Sequence, residues 1–167
     1  MGKPKRILIL GGSGAGKSTL AFELGQKFGL PIIHMDKLVW RSGWVMAQSE
    51  ILEKDVEKVL AQESWVLDGS LRRHTARLVP AADLVIFLDY PGWLNLARVL
   101  KRILQSYRQV RSDMADGCPE QIDLQFFRWT WRWPKTHGPD VVLALALAKS
   151  SETFRRPAEL RRWLNSI

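Results

Sequence analysis

A chain of 167 residues, 46% apolar and 25% charged, is long enough for one domain with an ordinary core and is neither disordered nor fibrous in composition. Its 25 Lys and Arg against 17 Asp and Glu leave a net charge of +8, which points to an anionic partner: a nucleotide, nucleic acid or an acidic membrane surface. The single cysteine, Cys118, excludes an intramolecular disulfide and a thiolate metal site built from this chain alone.

In chain order, the apolar run Ile7-Leu8-Ile9-Leu10 ends at Gly11-Gly12 and reads as a strand buried on both faces. Leu20, Ala21, Leu24 and Phe28 then recur at helical spacing, with Gly29 placed to stop the helix. Pro31-Ile32-Ile33-His34 reads as a second strand. From Ser49, a good N-cap residue, Leu52, Val56, Val59 and Leu60 mark an amphipathic helix. Trp65-Val66-Leu67-Asp68 and Leu84-Val85-Ile86-Phe87-Leu88 are two further buried strands. Pro91 opens a helix whose apolar residues are Leu96, Leu100, Ile103 and Leu104.

Residues 108–119, RQVRSDMADGCP, are polar and turn-rich and read as a loop or lid. In the FFRWTWRW segment, aromatics interleaved with Arg128 and Arg132 invite a nucleic-acid or membrane reading. Phe126, Trp129, Thr130 and Trp133 also follow helical spacing, which favours packing in the core or lid. Pro139 begins a short helix, a final strand is expected near residues 150–154 despite their polarity, and a helix over 158–164 closes the chain. Strands alternating with helices predict an α/β fold: a three-layer α/β/α domain with a central parallel sheet of about five strands. The N-terminus reaches a glycine loop too early for a signal peptide, and the longest apolar stretch, residues 141–148, falls far short of a membrane span. A cytoplasmic protein with no membrane partner, monomeric or weakly dimeric, is expected.

Residues 11–18, Gly-Gly-Ser-Gly-Ala-Gly-Lys-Ser, match G-x-x-x-x-G-K-[ST] in full, between a buried strand and an amphipathic helix. Glycines let backbone N–H groups curl round phosphate oxygens, and the following helix aims its positive end at the same anion. Gly11, Gly12, Ser13, Gly14, Ala15, Gly16, Lys17, Ser18 and Thr19 are therefore the expected ATP-binding residues. Lys17 is expected to reach the β- and γ-phosphates, and the Ser18 hydroxyl to ligate Mg²⁺.

Asp68 ends a strand and is followed by Gly69, the arrangement that holds Mg²⁺ directly or through water in P-loop proteins; Asp89, at the end of the next strand, is its rival. Asp36 lies just past the second strand, where ligands gather on a doubly wound sheet. It suits binding an acceptor hydroxyl or orienting a nucleophile, and equally a capping or solvated role. His34, at the same strand end, fits packing better than catalysis. Trp40 and Trp44 flank Arg41 and suit stacking on a base or covering the core. Between residues 98 and 111 there are five basic residues and no acidic one. Arg98, Lys101 and Arg102 form a stripe, with Arg108 and Arg111 in the loop beyond. Phosphoryl transfer needs such cations round the transferred oxygens, and arginines on a closing lid supply them while excluding water.

GGSGAGKST at 11–19, H-x-D-x-x-x-W at His34, Asp36 and Trp40, Gly43-Trp44 and WVLDG at 65–69 together carry a family resemblance. So do ADLVIFLDYP at 82–91, RVLKR at 98–102 and RSDMADGCPE at 111–120. With these the chain resembles the DNA topology modulation (FlaR-related) proteins of the adenylate-kinase-like group of P-loop NTPases. The resemblance implies a single domain over 1–167, with an acceptor-binding segment at about 35–64 and a helical lid at about 106–136. It implies that Arg72 grips an acceptor phosphate and that Arg98 and Arg102 open the lid. Ser70-Leu71 stands where nucleoside monophosphate kinases carry Phe-Pro, and 31–64 lacks their T-G-D-x-x-R, so the resemblance does not name AMP as acceptor.

The expected activity is Mg²⁺-dependent transfer of the γ-phosphoryl of ATP to a nucleotide or other small acceptor. Its expected catalytic residues are Lys17, Asp36, Arg98, Arg102, Arg108 and Arg111. Asp36, Trp40, Arg41, Trp44 and Arg72 are expected on the acceptor, and Ser18 and Asp68 on the metal. The alternative is an ATP-dependent regulator that binds DNA through its basic face.

Overall fold

Side-chain alternation along the first strand decides the layering. In β1 (Arg6–Gly11), Leu8 and Leu10 turn to one face and Ile7 and Ile9 to the other, and all four are buried. A strand apolar on both faces must be covered on both, which requires a three-layer fold. The computed structural model describes residues 3–69 and 72–167, with Arg72 described by its backbone alone. Its central sheet has the order β2-β5-β1-β6-β7, built from β1, β2 (Ile32–His34), β5 (Trp65–Asp68), β6 (Leu84–Leu88) and β7 (Ser151–Phe154). Every pairing in it is parallel. The α/β sandwich expected from the sequence, with about five strands, is the fold observed.

One face is covered by α1 (Lys17–Phe28) and α8 (Pro157–Ser166), through Leu20, Leu24, Leu160 and Trp163. The other is covered by α3 (Ser49–Ala61), α4 (Arg72–Ala81), α6 (Leu124–Thr136) and α7 (Gly138–Leu145), through Leu52, Val56, Leu78, Trp133 and Val141. Between β2 and α3 lie the single helical turn α2 (Met35–Val39) and a small hairpin of β3 (Trp40–Arg41) and β4 (Val45–Met46). Leu67 on β5 is fully buried. Leu67→Ala is expected to cost about 2–5 kcal/mol of unfolding free energy, measured by urea denaturation, because the sheet cannot collapse around the missing atoms.

The polar strand near residues 150–154 forms because it lies on the sheet edge and pairs with β6 alone. An edge strand needs few apolar anchors, and here Phe154 is the buried one.

The helix after Pro91, α5 (Gly92–Ser106), turns differently from its apolar pattern. Its buried residues are Asn95, Val99 and Ile103, while Leu100 and Leu104 are exposed. The glycine loop after β1 explains the rotation: a Cβ on Gly14 would strike the Asn95 carbonyl and meet the Val99 side chain, so α5 presents its Asn95–Val99 edge to that loop. Asn95 is anchored there by donating from Nδ2 to the Tyr90 carbonyl at 3.3 Å.

Candidate phosphate and acceptor site

The register of β1, β5 and β2 aligns Ile9 with Asp68 and Asp68 with His34, so the C-terminal ends of these strands share one rim. Residues that follow those ends, the glycine loop after β1 and Asp36 after β2, therefore converge beside β1. Gly16, in the left-handed region at φ 94°, is the N-cap of α1, and Lys17 and Ser18 are its first helical residues. Gly14, at φ 80°, is also left-handed. Gly14→Ala combines that strain with the clash against Asn95, and is expected to lower both the melting temperature and ATP affinity. Calorimetric titration with ATP beside a thermal melt checks it.

Two cavities meet over this rim. The smaller, about 530 Å³, is lined by residues 13–19 together with Asp36, Asp68, Arg98 and Asp113. The larger, about 910 Å³, is walled by Trp40, Trp44, Met35 and Val39 on one side and by Phe126, Trp129, Trp133 and Val141 on another. Ser13, Lys17, Asp36, Arg102 and Arg111 stand on the walls of both.

Lys17 Nζ donates to the Gly12 carbonyl at 3.0 Å. Burial lowers its pKa, against the pull of Asp36 and Asp68, and the nearby Arg102 and Arg111 lower it further. Asp36 keeps solvent access through the cleft, yet the surrounding walls desolvate its carboxyl and raise its pKa; Lys17 opposes the shift and Asp68 adds to it. Asp68, almost fully buried, has His34 Nδ1 at 3.0 Å from Oδ1, an ion-pair distance without hydrogen-bond alignment. Contact with Asp68 raises the pKa of His34. Asp89, the rival of Asp68, faces Arg155 at 3.6 Å and lines neither cavity.

The arginines divide. Arg98 donates from Nη1 to the Ala15 carbonyl at 3.2 Å and lies over the Tyr90 ring, 5.4 Å from its centroid. Arg102 and Arg111 reach the buried Glu120 carboxylate with Nε–Oε1 distances of 2.9 and 2.6 Å. Arg108 is elsewhere than the sequence led us to expect: exposed, at φ 61°, with its guanidinium over Tyr107 and outside both cavities. Arg41 is likewise outside. Its Nη1 donates to the carbonyls of Leu38 and Trp40 at 3.0 and 3.1 Å, capping the short α2, and Nη2 lies 3.7 Å from Asp55. The Arg72 side chain lies outside the described residues.

Trp40 and Trp44 face each other edge-on with centroids 5.6 Å apart. Trp44 Nε1 donates to the Pro119 carbonyl at 3.2 Å and Gly43 N to the Gly117 carbonyl at 2.9 Å, so the hairpin is tied to the loop over the site. That loop also supplies two carboxylates that sequence reasoning missed. Asp113 shares the wall of the smaller cavity with Ser18; burial pushes its pKa up, but Ser18 and Arg111 outweigh burial and the net shift is downward. Glu120 is the second. Their signal lay in RSDMADGCPE, read only as a lid. The helix α6 splits from that loop to pack on the core: Trp133 touches Gly12, sits 6.4 Å from Phe87, and stacks on His137 at 5.8 Å. Trp129 and Trp133 were legible as one helical face, but not as the wall of a cavity. Arg128 and Arg132 are exposed on the same helix.

No helix among the described residues is long and apolar enough to cross a membrane. No family model matches the chain, and no curated protein matches it. Solved structures do. Shikimate kinase from Acinetobacter baumannii in complex with shikimate aligns over 97% of this chain and 90% of its own, with TM-score 0.57 and 18% identity. Shikimate kinase from Bacteroides thetaiotaomicron aligns over 98% and 95%, with TM-score 0.58 and 14% identity. Deoxyadenosine kinase from M. mycoides with bound dCTP aligns over 96% and 99%, with TM-score 0.50 and 17% identity. The chain therefore shares the α/β fold of these solved kinases.

Proposed function

We propose that this chain is a Mg²⁺-dependent phosphotransferase that moves the γ-phosphoryl of ATP to a hydroxyl of a small acceptor. The observation that carries this reading is the meeting of two cavities at Lys17, Asp36, Arg102 and Arg111. A switch or motor needs the phosphate cavity alone; a transferase needs a second cavity opening on the same phosphate. The kinases that share the fold add support.

The residues suit both absent groups. Gly14 approaches α5 so closely that it has no room for a Cβ, which leaves bare backbone at that point of the loop. The Ser18 hydroxyl, with the Asp68 and Asp113 carboxylates on the same cavity wall, is a hard-oxygen donor set of the kind Mg²⁺ takes. Ser18 and Asp68 would hold the ion, which supplies positive charge at the phosphate oxygens. Lys17 and the loop N–H groups bind the phosphates. Asp36 accepts the acceptor hydroxyl's proton as that oxygen bonds to the γ-phosphorus and the bond to the β,γ-bridging oxygen breaks, leaving ADP. Arg98, Arg102 and Arg111 spread the charge of the transferred group.

The test is incubation with γ-labelled ATP, Mg²⁺ and a panel of nucleosides, nucleotides, sugars and small acids. Label appears on an acceptor with the wild-type chain and not with Lys17→Ala; absence of any labelled acceptor overturns the proposal. The regulator reading has the exposed Arg128 and Arg132 as its support. It requires duplex DNA binding that weakens steeply with salt and survives Lys17→Ala, and no DNA binding at low salt removes it.

A further inference from the structure

We infer that the outer face of the α5–α6 pair is a docking surface for a lipid bilayer with acidic headgroups. The residues of this face line neither cavity, and the inference is independent of the transferase reading.

Helical spacing assembles the face. α5 and α6 pack together, and a Cβ on Gly92 would strike the Trp131 carbonyl, so the first turn of α5 lies against the second half of α6. On α6, Phe126, Trp129 and Trp133 line the larger cavity. The opposite side carries Leu124, Arg128, Trp131 and Lys135, at i, i+4, i+7 and i+11, and all four are exposed. On α5, Asn95, Val99 and Ile103 are buried, while Trp93, Leu100, Lys101 and Leu104 are exposed on the outer side. Leu104 is 84% exposed, Leu124 77%, Trp93 60% and Trp131 54%. Apolar side chains of this size, left in water on two adjacent helices, mark a surface that a partner covers.

Charge selects the partner. Neither helix holds an Asp or a Glu. Of the acids that flank them in the chain, Asp89 faces Arg155 at 3.6 Å and Asp113 faces Arg111 at 3.0 Å. Asp123 caps α6 by accepting from Gln125 N and Phe126 N, and Asp140 lines the larger cavity. A second copy of this chain would bring the same cations against these, an interface of like charge. Nucleic acid would meet the cations and leave Leu100, Leu104 and Leu124 without an apolar partner. An acidic bilayer meets both: leucines and indole rings enter the boundary of headgroup and acyl chain, while Lys and Arg reach lipid phosphates. A face that lies on a membrane needs no apolar run of spanning length, so the short runs of this chain do not oppose it.

Co-sedimentation of the full chain with vesicles tests this. The vesicles are phosphatidylcholine alone, or an equal mixture of phosphatidylcholine and phosphatidylserine. Binding to the acidic vesicles and not the neutral ones, weakening as salt rises, is the expected result. Trp131→Ser and Leu104→Ser are each expected to weaken it by about tenfold, through lost apolar insertion. Arg128→Gln is expected to weaken it by about fivefold, the attraction of one basic side chain to an acidic surface. All three side chains are exposed, so the melting temperature and ATP binding are expected to hold in each variant.

Absence of binding to acidic vesicles at low salt overturns the inference. Equal binding to neutral vesicles does so too, as does binding that none of the three variants weakens. A dimer in sedimentation velocity that Trp131→Ser dissociates gives the face to a second copy. DNA that binds more tightly than the acidic vesicles, and loses affinity in Arg128→Gln, gives it to nucleic acid. Either result overturns the inference, and neither bears on label transfer to an acceptor.

Discussion

Lys17→Ala is expected to reduce phosphoryl transfer by about 10²–10³-fold or more, the cost of removing one preorganised charge from a developing phosphoryl transition state. The fold should tolerate it. Lys17 is held by one hydrogen bond to Gly12 and lies desolvated between carboxylates and arginines, so its removal relieves a burial cost while leaving Asp36 and Asp68 to repel each other. Single-turnover transfer measured beside a thermal melt separates the two effects. A variant that melts like the parent and transfers no phosphoryl is the expected outcome.

Asp36→Asn is the second large effect, expected to reduce transfer by about 10²–10⁴-fold, the range for loss of a general base. Burial raises the pKa of Asp36, so at neutral pH the folded state carries its carboxylate at a cost. The sign follows from linkage: the folded state binds this proton more tightly than the unfolded chain does. The stability penalty is therefore present above the folded pKa and fades as pH falls through it. Asp36→Asn should then melt no lower than the parent at pH 7, and its relative advantage should shrink toward acid. The rate profile carries the same group. Wild-type activity should fall on the acid side at a pH above the ordinary carboxylate value, and that limb should be missing from the residual activity of Asp36→Asn. On the alkaline side, activity should decline below the ordinary lysine value, because burial lowers the pKa of Lys17. An acid limb unchanged in Asp36→Asn would assign it to another group.

The parts of this molecule that were legible in its sequence are those fixed by neighbours in the chain. The glycine loop is eight consecutive residues with a strand before and a helix after, and the structure has all three. The buried strands could be read because both of their faces are covered, which leaves an unbroken apolar run. Helix α5 was misread for the opposite reason. Its sequence offers two overlapping apolar stripes, and the buried one contains a polar residue, Asn95, selected by the close pass of Gly14. Hydrophobic spacing cannot report a contact made with a glycine far away in the chain.

The site followed the same division. Lys17, Ser18, Asp36 and Asp68 could be placed because strand ends gather on one rim. Arg108 and Arg41 could not, because a guanidinium on an exposed loop goes to the nearest acceptor or ring: Tyr107 for one, the carbonyls ending α2 for the other. Glu120 and Asp113 were hidden by their loop. No periodicity marks an irregular segment, and their place at the candidate site comes only from folding back beside Ser18, Arg102 and Arg111.

The central claim is that the phosphate cavity and the aromatic cavity are two halves of one reaction site joined at Lys17 and Asp36. It is tested most directly by the structure of the chain bound to Mg²⁺ and a non-hydrolysable ATP analogue. The γ-phosphate is expected against Lys17 Nζ, turned toward the tryptophan-lined cavity with the Asp36 carboxylate across from it. A γ-phosphate pointing away from that cavity, or Asp36 on its far side with no path for an acceptor hydroxyl between them, would contradict it.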